Sequence, residues 1–128
     1  MLRIFACCLL AIGAAPIYAQ TNVVDELLQT DVADVSSQEI VVLEVTYPPG
    51  GSSPSHRHNA HTIVYVLEGS VIMQVAGGEK QTLTAGQVFH ENPDDVHSVS
   101  MNASDAAPAR ILVFFLKNKG APMTVPAT

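Results

Sequence analysis

From Glu39 to Leu116 the sequence is a succession of short runs rich in β-branched residues, each closed by glycine, proline, asparagine or aspartate. "EIVVLEVTY" stops at "PPGGSSPS", and "TIVYVLEG" leads into "SVIMQVA". "GGEK" then precedes "QTLT", "AG" precedes "QVFHE", "NPDD" precedes "VHSVSMN", and "ASDAAPA" precedes "RILVFFL". Runs of this length suit strands, and turn residues at intervals of roughly ten positions are the pattern of an antiparallel sandwich or barrel. No stretch carries apolar residues at helical spacing over the length a helix needs. An all-β antiparallel fold follows, as a single domain, because 128 residues supply one core and little more. The sequence shows no internal repeat, no low-complexity block and no run of like charge.

The opening segment, "MLRIFACCLLAIGAAPIYAQ", has a different grammar. One basic residue (Arg3), an uncharged apolar run from Ile4 to Ala15 and small residues around Ala19 are what a secretory signal peptide requires. The apolar run is short for a bilayer span, and a lipid anchor at Cys7 or Cys8 would leave almost no apolar region before the cut. Cleavage is therefore expected after Ala19, with export to the periplasm or beyond and no membrane association afterwards. Residues 1–19 are assigned to the signal peptide, 20–38 to an N-terminal arm or edge strand, 39–116 to the barrel and 117–128 to a tail. The arm is mixed and polar, and fits either a short strand or a turn of helix.

Both cysteines lie in the segment expected to be removed, so a metal ion in the mature chain has to be held by nitrogen and oxygen. With Arg3 gone, five Lys and Arg remain against twelve Asp and Glu, and so acidic a surface argues against nucleic acid as a partner.

Three of the five histidines fall within "HRHNAH", residues 56–61. Alternate residues of a strand share a face, so His56 and His58 project together with Arg57 opposite. Two imidazoles on one face can bind one ion. His97, on another strand, completes a facial set if the fold brings the two strands together. Imidazole suits zinc, iron, copper and nickel, and three nitrogen ligands leave positions for water or substrate. The plainer alternative is a pair of solvated turn histidines, with His97 as a rim residue.

The spacing resembles that of the cupins, small double-stranded β-helix barrels of the jelly-roll type. Their first motif reads glycine, five residues, His-x-His, three or four residues, glutamate, six residues, glycine. Gly50, His56, His58 and Gly69 stand at those separations, and "YVLEG" is the usual ending. Their second motif reads glycine, five residues, Pro-x-Gly, two residues, histidine, three residues, asparagine. Gly86 and His97 keep that separation, while Pro93 and Asn102 each sit one place late and Asp95 stands where the displaced glycine would be. The resemblance covers roughly residues 39–116. It implies a jelly-roll barrel holding a divalent metal ion (iron, zinc, manganese, nickel or copper) on His56, His58 and His97. It also implies a small-molecule ligand and a homodimer, for which "RILVFFL" and the N-terminal stretch offer strand edges.

One family residue is missing. Thr62 occupies the position of the first motif's glutamate, and a threonine hydroxyl is a poor ligand for these metals. A fourth protein donor is either absent or supplied from elsewhere: from His61, if the Asn59–Ala60 turn twists the strand, or from Glu91, on the strand before "NPDD". For each, a solvated or rim side chain is the plainer reading. His90 and Glu91 differ in parity, and His90 is expected to face away from the metal. Val64, Val66, Ile72, Phe89, Phe114 and Phe115 are expected chiefly as core, with Tyr65 ambiguous. Asn102 opens an "NAS" sequon, but the family's second motif gives that position a place inside the fold.

Together these features describe a secreted or periplasmic cupin that binds a small, oxygen-bearing molecule at a histidine-held divalent metal. Two alternatives stand beside it. One is a non-haem iron dioxygenase of the thiol- or flavonol-dioxygenase kind, since a three-histidine site without carboxylate resembles the thiol dioxygenases. The other is a metal-free sugar or interaction module. Cupins include isomerases, decarboxylases, dioxygenases and plain binders, so the motifs do not name the substrate.

Overall fold

The computed structural model describes residues 20–127; the expected signal peptide, with both cysteines, lies outside the described residues. The strands are β1 (Val23–Asp31), β2 (Gln38–Tyr47), β3 (Ser52–Ser53), β4 (His56–Arg57), β5 (Ala60–Glu68), β6 (Ser70–Val75), β7 (Gln81–Thr84), β8 (Val88–Glu91), β9 (His97–Asn102), β10 (Ala109–Asn118) and β11 (Val125–Pro126). They form two antiparallel sheets, ordered β1-β2-β10-β5-β8 and β11-β4-β9-β6-β7, with β3 beside β9. Strands distant in sequence are neighbours in space: β10 runs along β2 on one side and β5 on the other, so "RILVFFL", expected to offer a strand edge, lies inside its sheet and leaves, of the two segments, only the N-terminal stretch at an edge. This interleaving is the double-stranded β-helix that the motifs imply.

Side-chain parity fixes which face is inside. In β5, Ala60, Thr62, Val64 and Val66 are buried while His61, Ile63 and Tyr65 are exposed, and a one-residue slip would reverse all of them. β10 alternates in the same way, with Ala109, Ile111, Val113, Phe115 and Lys117 inward. Leu43, Val45 and Tyr47 from β2, Val71 and Met73 from β6, Leu83 and Phe89 join them in one continuous core. Burying each larger side chain contributes about 1.5–3 kcal/mol. Parity also corrects two expected core residues. Phe114 is 44% exposed because its neighbour Phe115 takes the inward position, and Ile72 is only partly buried because Val71 and Met73 point inward on either side of it.

Gly69 turns β5 into β6 at a φ of +74°, where a Cβ would stand 2.7 Å from the Pro108 carbonyl oxygen. Conformation and space therefore both require the glycine that closes the first motif.

The N-terminal stretch forms β1 at the edge of its sheet. Every residue in it is exposed, and a bulge between Glu26 and Leu28 interrupts its register with β2. At the other end of the chain, a buried ion pair directs the backbone after β10. Lys117 Nζ donates to Glu39 Oε1 and, at 2.6 Å, to the Ala121 carbonyl oxygen. Gly120 N and Gln29 Nε2 also donate to the Glu39 carboxylate, at 3.1 and 2.7 Å. The Lys117 hydrogen bond, followed by that of Gln29, holds the Glu39 carboxyl down at about 2. Thus anchored, the chain returns so that β11 pairs with β4.

Candidate metal centre

β4 and β9 are adjacent, with His56 directly opposite His97. His58 follows on the same face as His56. Asn59 then adopts a φ of +49°, a left-handed conformation that asparagine tolerates. The chain passes there from one sheet to the other without losing parity, since Ala60 and Thr62 continue the inward series. The twist therefore does not bring His61 inside. His61 is exposed and stacks on exposed His90, with ring centroids 6.2 Å apart and planes 9° from parallel. It is not a fourth donor to this centre, and His90 faces away from it.

One ring nitrogen from each of His56, His58 and His97 lies within 4.8 Å of the others. Backbone carbonyls fix two of the tautomers. His56 Nδ1 is 2.6 Å from the Pro54 oxygen, and His58 Nδ1 is 2.6 Å from the Met123 oxygen. A carbonyl can only accept, so each Nδ1 carries the proton and each Nε2 is left with a lone pair. Those two Nε2 atoms face each other at 3.1 Å. Two acceptors cannot satisfy one another, whereas a cation between them satisfies both. His97 is buried, and among the described residues neither of its ring nitrogens has a hydrogen-bond partner. Buried polar atoms left in that state cost about 1–3 kcal/mol each. Three imidazoles with free lone pairs are a donor set that could hold a transition-metal ion.

Glu91, expected at the rim, is 1% exposed and points inward. β8 pairs with β5 so that Glu91 stands directly opposite Thr62. The carboxylate is thus across the ladder from the place where the cupin motif has its glutamate. Its Oε1 lies 3.2 Å from His97 Nδ1, yet makes no hydrogen bond and has no other partner among the described residues. Parity was the available signal: Glu91 shares a face with Phe89, whose ring stacks on His97 at 5.7 Å. The donor atoms that lie together are those of the three histidines, and the Glu91 carboxylate stands beside them at His97 Nδ1.

Burial pushes the His58 imidazole below its usual 6.5, partly offset by the Met123 hydrogen bond and the charge of Glu91. The neutral form thereby favoured is the one that ligates a metal. The Met123 carbonyl belongs to the tail, and no side-chain pattern in the sequence announces it.

A cavity of about 500 Å³ adjoins the histidines. Its walls are largely apolar, with Leu43, Val45, Val64, Ile111, Val113 and Phe115 among them. Tyr47, Ser53 and Ser100 add hydroxyl groups, while Asn22 and Val24 from the N-terminal arm and Met123, Thr124 and Pro126 from the tail also line it.

Among solved structures, the chain is similar to an uncharacterized conserved protein with a double-stranded beta-helix domain from Klebsiella pneumoniae subsp. pneumoniae MGH 78578. Identity is 23% and the TM-score 0.61, over 84% of this chain and 85% of that one. It is similar to oxalate oxidase in complex with glycolate at 24% identity and a TM-score of 0.63, over 86% of this chain and 57% of the other. It is also similar to the DMSP lyase DddQ from Ruegeria pomeroyi DSS-3, at 20% identity and a TM-score of 0.60, over 69% of this chain and 43% of the lyase. The chain thus spans about half the length of each of these two enzymes, and likeness at such identity speaks for the fold alone. Comparison with curated proteins gives no match. The family profile of the cupin domain matches residues 43–115, more than half of the sequence. By that match, and by the double-stranded β-helix that carries it, the chain belongs to the cupin family.

Proposed function

We propose that the protein is an exported cupin that binds one divalent metal ion through His56, His58 and His97, with Glu91 as the carboxylate donor, and presents it to a small molecule in the adjoining cavity. The observation that carries this reading is the approach of the two Nε2 lone pairs at 3.1 Å, each tautomer fixed by a carbonyl on the far side of its ring. A metal-free module would leave the two Nε2 lone pairs facing each other and would give His97 no ion to ligate, although among the described residues neither of its ring nitrogens has a partner. A bound ion supplies Lewis acidity, polarising an oxygen of the ligand. The chain does the rest: the Pro54 and Met123 carbonyls orient the rings, and Phe89 and Phe115 pack against His97 and His58.

Similar folds that include oxalate oxidase in complex with glycolate and a DMSP lyase support a small-molecule ligand. The three-histidine cluster and the cavity beside it support ligand binding at the metal, the reading that asks least of the site. Export rests on the pattern of the first twenty residues, and a homodimer on the exposed apolar edge strand β1.

Elemental analysis of protein purified from the periplasm tests the centre. About one ion per chain is expected in the unaltered protein, with most of it lost in His97→Ala. Full metal content in His97→Ala would reject the site. Mass spectrometry of the same sample tests export, since a mature mass that includes both cysteines contradicts it.

A further inference from the structure

Part of the cavity is built for hydrogen bonding, and the metal centre does not use it. Tyr47 and Ser100 are buried, Ser53 is half-buried, and all three line the space. Tyr47 Oη is 2.7 Å from Ser100 Oγ and 3.4 Å from Ser53 Oγ. Asn22 Nδ2 donates to Ser53 Oγ at 3.1 Å, and Ser100 Oγ donates to Met73 Sδ at 3.5 Å. One arrangement of protons accounts for every contact: Asn22 to Ser53, Ser53 to Tyr47, Tyr47 to Ser100, Ser100 to Met73. Each hydroxyl then donates once and accepts once, and each keeps a lone pair for a ligand. The chain ends on a thioether, a weak acceptor, so the Ser100 proton is the one most readily turned to a ligand oxygen. A ligand hydroxyl can both donate and accept here.

The strands set how far this cluster lies from the metal. Ser100 is three positions beyond His97 on β9, and both face inward because the register shifts between Gln74 and Val75 of the partner strand. At 3.2–3.4 Å per residue the backbone of Ser100 lies up to roughly 10 Å along the strand from that of His97. On the neighbouring segment Ser53 stands opposite Ser100 and His56 opposite His97, so the same three positions separate them. The wall is otherwise mostly apolar, and among the described residues no lysine or arginine lines it, so none of them neutralises an anionic group away from the histidines.

We infer that the ligand has three parts: an oxygen-bearing head that chelates the metal, an uncharged apolar body of ring size, and a hydroxyl up to roughly 10 Å from the head that docks on Tyr47, Ser53 and Ser100. This inference rests on the metal-centred reading above. A small dicarboxylate lacks the body that fills the cavity and brings a charge that its walls do not pair.

Calorimetry on the metal-loaded protein with catechol, 4-phenylcatechol, 4-(4-hydroxyphenyl)catechol and oxalate tests it. The second ring should tighten binding by roughly tenfold or more through apolar burial. The terminal hydroxyl should add about fivefold, the worth of one hydrogen bond. In Tyr47→Phe and in Ser100→Ala that last ratio should fall to about one. The inference is overturned if the terminal hydroxyl adds nothing in the unaltered protein, if its gain survives in both variants, or if oxalate binds more tightly than the two-ring probes. Catechol binding with no gain from the second ring sinks the inference and leaves the metal reading standing. A metal-loaded protein that binds none of the probes sinks the proposed ligand site, and the inference with it.

Discussion

Thr62 and Glu91 are direct partners across the β5–β8 ladder, and both side chains are buried in the barrel. Directly opposed residues of an antiparallel pair have Cβ atoms about 4.5–5.5 Å apart, so a carboxylate on either strand can serve nearly the same volume. Where the cupin motif has its glutamate this chain has Thr62, and a carboxylate stands on the strand opposite. Glu91→Gln should lower metal affinity by roughly tenfold to a hundredfold, measured by competition with a chelator. Thr62→Glu alone should gain nothing, because two carboxylates in opposed positions repel. The exchanged pair, Thr62→Glu with Glu91→Thr, should recover most of what Glu91→Thr loses. Undiminished affinity in Glu91→Gln would place the carboxylate outside the coordination of the metal.

The tail makes a second contribution to the centre, through backbone rather than side chain. Met123 accepts from His58 Nδ1 with its carbonyl oxygen, and β11 pairs with the strand that bears His56. Deleting residues 120–128 removes both and should weaken metal binding by about tenfold or more. Met123→Ala keeps the carbonyl and should keep the affinity. If the point substitution weakens binding as much as the deletion, the side chain is what matters and the assigned hydrogen bond is not.

The contrast between Glu91 and Met123 shows what was legible in the sequence. Strand positions and the inward histidines follow from period-two patterning and glycine spacing, both local properties of the chain. "QTLT" is β7 to the residue. Parity could have placed Glu91 inside beside Phe89, and it could have sent Phe114 outward opposite Phe115. It could not show that Glu91 faces Thr62, because that depends on the register between strands separated by two others in the chain. Still less could it show the return of the tail to His58. That path depends on the buried contact of Lys117 with Glu39, far apart in sequence and each bland when read alone.

The edge strand β1 bears on assembly. Val23, Val24, Leu27 and Leu28 are between 48% and 55% exposed on a strand whose outer hydrogen-bonding side has no neighbour among the described residues. Such edges pair with other chains unless they are blunted. Light scattering at micromolar concentration should report a dimer, and Leu28→Lys should shift it towards monomer while leaving metal content unchanged. A monomeric unaltered protein contradicts the proposed assembly.

The last prediction concerns acid. Glu39 titrates at about 2 in the folded protein, against an ordinary value of 4.5, because it accepts from Lys117, Gln29 and Gly120. A carboxyl lowered by folding contributes stability that is present in full above its unfolded value and lost as pH falls through its folded value. Between pH 4.5 and 2 the unfolded chain therefore binds the Glu39 proton more readily than the folded one, and folding weakens with each step down. Thermal melts of the metal-free protein should fall more steeply across this window in the unaltered chain than in Glu39→Gln. The comparison cancels what the histidines contribute to both. At neutral pH the same variant should melt lower, since it leaves the Lys117 ammonium buried without its counter-charge. The loss should be felt at the metal as well, because the Lys117–Glu39 contact anchors the residues that lead to Met123 and so to His58. Parallel acid profiles for the two proteins would show that Glu39 is not held in its charged form, and would detach the tail's anchorage from the ion pair.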